Sequence, residues 1–202
     1  MIIDLLSFLP GFLHAFLQNL WMGLLVLLIG LALGVPLARY VHRKYVFHTF
    51  ILGVITVLRS LPVFIMMYII FGVLVMTVAI DEQNIFSAPV LALLGGLCFS
   101  STSGAFDATL DYFKLRDEGQ MRQALLIVPN IFRLYVNLAS TTAVGAAIGV
   151  KEAVNFALIT VERIPSSSDR LFIVIFVSLF FVCFVLIARW LLSFIVRARM
   201  QT

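Results

Sequence analysis

The stretch that decides the reading is 107-DATLDYFKLRDEGQMRQALLIVPNIFR-133. Eight charged residues, Asp107, Asp111, Lys114, Arg116, Asp117, Glu118, Arg122 and Arg133, fall within these 27 positions. The runs on either side, 87–106 and 134–150, carry no charge at all. A dense polar island between two apolar runs has the pattern of a loop joining two membrane crossings.

The rest of the chain follows the same pattern. Of 202 residues, 62% are hydrophobic and only 12% are charged, where soluble domains carry about 25% charge. Mean hydropathy is +1.12. Residues 20–38, 60–80 and 171–188 form uncharged runs of 19, 21 and 18 residues, near the length of about 20 that a helix needs to cross a bilayer. Runs 87–106 and 134–150 are richer in Gly, Ser and Thr, which suits helices packed on other helices. The runs are continuous rather than alternating, which argues against β-barrel strands. The expected fold is all-α: a polytopic transmembrane bundle of about five spans forming one domain, 1–202.

Residues 1–16, interrupted by Asp4, Pro10 and Gly11, read as an interfacial segment followed by a bend. The expected spans are 17–38, 60–80, 89–106, 131–150 and 171–193. Residues 46–80 are broken only by Arg59 and Pro62, which predicts a lead-in helix, a kink near Pro62 and then the second span. "DEQN" at 81–84 reads as a turn, 107–130 as a loop on one side and 151–170 as a loop on the other. Nine Lys and Arg flank one side (three after span one, four in the island, two in the tail) and three lie on the other. That asymmetry puts the N-terminus outside and the C-terminus and the island in the cytoplasm. No Lys or Arg precedes Arg39, so no cleavable signal peptide is expected. The net charge of +4 is assigned to the cytoplasmic surface rather than to a nucleic-acid partner.

Within the island, Leu110 and Phe113 recur at helical spacing with Arg116/Asp117, consistent with either a solvated connector or an amphipathic docking helix. Arg59, inside an apolar run, is either a functional charge or a snorkelling one. "SSTS" (100–103) and "NLASTT" (137–142) are polar islands in spans three and four. Ser100, Ser101, Asn137, Ser140, Thr141 and Thr142 could line a solute path, or bond to backbone and glue helices. "GLALG" (30–34) and "GAAIG" (145–149) permit close helix approach. Cys98 and Cys183 read as small apolar side chains. His14, His42 and His48 share no metal-ligand spacing with a carboxylate or cysteine. No Walker glycine loop and no catalytic triad spacing occurs, so no catalytic residue and no enzyme activity is expected.

"LWMGLLVLLIGLALGVPLAR" (20–39), "LRSLPVFIMMYIIFG" (58–72) and "VPNIFRLYVNLASTTAVGAAIGVKEA" (128–153) together resemble the membrane subunits of amino-acid-type ABC importers. Arg59, Pro62, Pro129, Thr142, "IGV" (148–150) and Glu152 fall in register. The resemblance implies a five-span permease moving a polar small solute, an amino acid or a relative, by alternating access. It implies ABC ATPase subunits, which carry ATP and Mg, with no cofactor in this chain. It also implies a second permease subunit, alike or paralogous, and an extracytoplasmic solute-binding protein. The location implied is the bacterial inner membrane, with lipid around the spans. In that family the loop between spans three and four forms a coupling helix, which assigns Leu110, Phe113, Arg116, Asp117, Glu118 and Arg122 to ATPase coupling. Arg59 takes a structural and gating position. This sequence departs from the family's Glu-Ala-Ala…Gly signature and its loop is shorter; "EGQMRQAL" (118–125) and "TLDYFKL" (109–115) compete as the docking turn. A Lys-Asp pair frequent in the family is replaced by Ser140 and Thr141. The alternatives are an ion-driven exporter or exchanger and a non-transporting membrane scaffold.

Overall fold

From Leu5 to Arg39 the chain is dominated by Leu, Val, Ile and Phe, and the interruptions at Pro10, Gly11 and Pro36 do not stop the helix. In the structure, a computed structural model that describes residues 5–77 and 87–200, α1 (Leu5–His42) runs as one 38-residue helix. At 1.5 Å per residue it is about 57 Å long, almost twice the apolar thickness of about 30 Å. The bend expected after an interfacial segment does not occur. Pro10 sits in the second turn, where its missing N–H frees one carbonyl close to the helix start. Gly11 leaves room for a neighbour: a Cβ there would come within 2.5 Å of the Phe156 ring.

Lys44, with φ 52, turns the chain after α1. α2 (His48–Ser60) and α3 (Val63–Thr77) follow, bent by 90° across Leu61 and Pro62. Leu61 is extended, as the residue before a proline must be. This is the kink expected from the sequence. The "DEQN" turn expected at 81–84 lies outside the described residues.

α4 (Ala88–Asp117) differs from expectation in length. It continues eleven residues past Phe106, so the first half of the 107–130 loop is helix. The chain turns only at Glu118–Gln120. There Gly119 takes φ 76, and the N–H groups of Gly119 and Gln120 donate to the carbonyls of Arg116 and Leu115 at 3.0 and 2.9 Å. That pairing is a Schellman stop, which needs a left-handed residue. One short turn, α5 (Met121–Ala124), leads into α6 (Ile127–Thr141). α6 starts earlier than the expected 131, because Pro129 lies in its first turn, where no N–H is required. The span then tightens into a 3-10 turn (Thr142–Ile148) that Gly149 closes at φ 83. α7 (Ala153–Arg163) occupies much of the expected 151–170 loop, and α8 (Ser167–Met200) completes the chain. Among the described residues, four stretches of helix are long and apolar enough to cross a membrane, or five if the bent α2–α3 pair is one span. The multi-pass membrane character read from composition stands.

Small residues set the packing. A Cβ on Gly30 would meet Ser101 of α4, and one on Gly34 would come within 2.7 Å of the Thr102 carbonyl oxygen. α1 and α4 can therefore lie backbone to backbone, with Ser101 Oγ donating to the Val26 carbonyl at 2.9 Å. Met22, Val26, Met67, Leu93, Leu97 and Leu138 form the central core between α1, α3, α4 and α6. A second cluster, rich in phenylalanine, joins Phe8, Phe12 and Phe16 of α1 to α7 and α8. Phe16 meets Phe180 and Phe184 edge-on at centroid distances of 4.9 and 5.1 Å. These rings hold the start of α1 in line and explain why the interfacial break is absent. Each end of the bundle carries its own short helices: α2 and α5 at one end, α7 at the other.

Candidate functional site

At the α5 end, the ends of α1 and α4 are joined by side chains. His42 Nε2 and Asp117 Oδ2 are 2.8 Å apart, and the His42 ring stacks on Phe113 at 5.1 Å. The Arg116 guanidinium lies 5.3 Å above the other partner of that stack, Phe113, and donates to Asp117. α2 is tied to α4 by Arg59, whose Nη2 donates to both Asp107 oxygens, at 2.5 and 2.6 Å. Both side chains of this pair remain about half exposed.

This geometry redistributes the roles expected of the island. Leu110 packs against Ala38, Val41, Ile55 and Phe106, and Phe113 is engaged by His42. Both are half-buried, because the α4 extension turns part of that face onto α1 and α2. "TLDYFKL" is therefore the last turns of α4. "EGQMRQAL" contains the separate turn. There Glu118, Arg122, Met121 and Leu125 are exposed, the last two at 53% and 51%, while Ala124 anchors the turn at 1%. Arg59 sits at the end of α2, at the elbow into α3.

The polar residues of the spans separate into two groups. Ser101 and Thr142 are fully buried at 0% and join elements of this chain. Asn137 is exposed, and Ser100, Ser140 and Thr141 are half-buried. Ser140 Oγ and Thr141 Oγ1 donate to the carbonyls one turn back, Val136 and Asn137, at 2.9 and 2.7 Å. Their oxygens keep acceptor capacity. Asn137, Ser140 and Thr141 share a face of α6 with Asn130 and Arg133, both exposed, at spacings of three and four. This polar stripe runs the length of a helix that crosses the membrane. Arg133, counted in the charge asymmetry as an orienting charge, lies on this stripe by its spacing from Asn137.

At the α7 end lies a polar knot that the sequence reading did not assemble. Asn19, Thr142 and Glu152 each have 0% exposure. Asn19 Nδ2 donates to Thr142 Oγ1 and to Glu152 Oε2, both at 2.9 Å. Asn19 Oδ1 accepts from the Ala153 N–H at 3.1 Å. Glu152 caps α7, accepting from the N–H groups of Val154 and Asn155 at 2.9 and 2.8 Å. A carboxylate at a helix start meets the positive end of the helix dipole. Burial pushes the Glu152 carboxyl up, and the Asn19 amide and the two backbone donors oppose that rise without cancelling it. The signal available in sequence was a lone amide ahead of an apolar run and a lone Glu after "IGVK"; nothing local pairs positions 133 apart. No buried side-chain polar atom among the described residues lacks a partner. No group of three or more metal-binding side chains occurs among them.

Solved structures sharpen this picture. The chain superposes on a chain from the crystal structure of an amino acid ABC transporter with histidines, with TM-score 0.75 and 17% identity, covering 98% of this chain and 100% of that one. The fold is that of these transporter chains. Two inward-facing structures of the MetNI methionine ABC transporter are also similar, with TM-scores 0.66 and 0.59 and identities 14% and 15%, each covering 98% of this chain and 99% of the other. No family model and no curated protein sequence matches. The shared fold therefore lies below the level at which sequence alone pairs the chains.

Proposed function

We propose that this chain is the permease subunit of an ABC importer for a polar small solute, an amino acid or a related compound, in the bacterial inner membrane. The carrying observation is α5: a short exposed turn, set off by a glycine stop, joining two crossings in a fold similar to amino acid and methionine ABC transporters. Separate ATPase subunits, holding ATP and Mg, dock on Glu118–Leu125, with Met121, Arg122 and Leu125 as the contact surface. Arg116 and Asp117 hold the end of α4 behind it. A second permease subunit, alike or paralogous, completes the path, and an extracytoplasmic binding protein delivers the solute at the α7 end.

The solute path follows the α6 stripe: Asn137, Ser140 and Thr141, with Ser100 on neighbouring α4. Buried Ser101 and Thr142 hold the walls. A polar face along a crossing is costly against lipid and is retained where it meets water, solute or another subunit. ATP binding draws the ATPases together and shifts α5. The His42–Asp117 and Arg59–Asp107 ties carry that shift to α1 and α2–α3. The spans rock because nucleotide and solute each favour one of two arrangements.

The test is co-expression with a P-loop ATPase encoded beside this chain. Met121→Asp with Leu125→Asp is expected to reduce co-purified ATPase by about tenfold, the scale of losing a central interface anchor. ATP-dependent uptake should fall with it. Unchanged co-purification and uptake would remove the docking role from α5.

A further inference from the structure

The α2 helix has three faces. Ile51, Ile55 and Leu58 point into the cluster with Ala38, Val41 and Phe106. Thr49, Gly53, Thr56 and Ser60 form a polar side. A separate stripe, Phe50, Val54 and Val57, recurs at spacings of four and three and is 70%, 39% and 59% exposed. The segment leading into α2 continues that surface: Tyr45, Val46 and Phe47 are 44%, 89% and 64% exposed. Beside them stand the exposed cations Arg39, Arg43 and Lys44. Arg43 Nη1 donates to the Tyr45 hydroxyl at 3.1 Å, so cation and ring are held side by side.

Orientation selects the occupant. α3 is apolar on every side and 15 residues long, which marks it as part of a crossing. α2 stands at 90° to it. A helix perpendicular to a crossing lies in the plane of the membrane. An in-plane helix with an apolar stripe, aromatic rings and adjacent cations is built for the boundary between acyl chains and headgroups. Asp107 and Asp117 are engaged by Arg59 and by His42 and Arg116. Among the described residues no ion pair engages Arg39, Arg43 or Lys44, which leaves these cations to an external anion.

We infer that residues 43–57 form an anionic-lipid platform: Phe47, Phe50, Val54 and Val57 seat in the acyl boundary of the inner leaflet while Arg43 and Lys44 bind lipid phosphates. The platform would brace the elbow at Leu61–Pro62, so that Arg59 moves α3 against the membrane surface. This holds whether or not an ATPase docks on α5, and rests on α3 crossing the bilayer with the α5 end at its inner face.

The test uses the full chain in vesicles of phosphatidylglycerol and phosphatidylcholine. Trp21 and Trp190 are replaced by Phe, and Val46→Trp or Val57→Trp supplies the single reporter. Lipids brominated at shallow acyl carbons should quench both reporters about twofold more than lipids brominated near the chain ends, given a seating depth of about 5–10 Å. Brominated phosphatidylglycerol should quench the Val46→Trp reporter more than equimolar brominated phosphatidylcholine. Arg43→Gln with Lys44→Gln should lower that preference by about fivefold for each charge removed, while shallow quenching at Val57→Trp persists. Equal quenching by the two headgroups in the starting protein would overturn the lipid-binding role of the cations. Reporters quenched by aqueous iodide and untouched by brominated lipid would overturn the platform altogether. So would reporters shielded from lipid by a co-purified subunit, which would assign the surface to a protein.

Discussion

The two ends of this bundle solve the same problem, tying neighbouring elements to one another, by opposite means. At the α7 end, Asn19, Thr142 and Glu152 are sealed from solvent and every polar atom is paired. At the α5 end, Arg59–Asp107 and His42–Asp117 are open to it, with side-chain exposures from 21% to 56%. A buried network is worth much because its failure strands desolvated groups. An exposed ion pair is worth little and can break and re-form at small cost. The sealed end is thus a fixed anchor. The open end is a joint that can change arrangement, which is what the proposed docking of an ATPase at that end requires.

This contrast can be broken at four points. The largest stability effect is expected from Glu152→Ala, which strands the Asn19 amide and two N–H groups at the start of α7. A loss of about 3 kcal/mol follows, read as a fall in unfolding midpoint in detergent. Glu152→Gln separates charge from shape. Because burial raises the Glu152 carboxyl in the folded chain, the folded state holds a proton that the unfolded state has released. Stability therefore declines as pH rises from the ordinary carboxylate range to the raised value, and is flat above it. Glu152→Gln should abolish that slope.

Next comes Gly30→Ala. Its methyl would overlap Ser101 and approach that residue's backbone carbon at 2.7 Å, so α1 and α4 must separate, at about 1–3 kcal/mol. Gly119→Ala, at φ 76, is expected to cost about 1 kcal/mol and to disturb transport more than stability, because it re-aims α5. The smallest stability change belongs to Arg59→Ala, less than about 1 kcal/mol for so exposed a pair. Uptake should nevertheless fall, and the exchange Arg59→Asp with Asp107→Arg should restore part of it. If Arg59→Ala destabilised the chain as much as Glu152→Ala, the two ends would not differ in kind.

Much of the architecture was legible because hydropathy in a membrane chain is nearly one-dimensional. Long uncharged runs gave the crossings, Pro62 gave the elbow and the charged island gave the connection between α4 and α6. The details that failed depended on partners distant in sequence. Pro10 and Gly11 read as a bend, but rings contributed by α7 and α8 hold α1 straight. For Leu110 and Phe113, helical spacing identifies an apolar stripe without saying that His42 and the α1–α2 cluster lie against part of it. The knot joining Asn19 to Glu152 left no local trace, since each residue alone looks like an isolated polar group. The α6 stripe was half visible; Asn130 joined it once the helix start was fixed at Ile127.

The most direct measurement is thiol accessibility at the two ends. With Cys98 and Cys183 replaced by alanine, a single cysteine is placed at Met121 or at Lys151, both exposed positions. An impermeant maleimide applied to intact spheroplasts should label the cysteine at 151 and spare that at 121, and inverted vesicles should reverse the pattern. Labelling of position 121 from outside the cell would put the open joint on the wrong side of the membrane for an ATPase and overturn the assignment of the two ends.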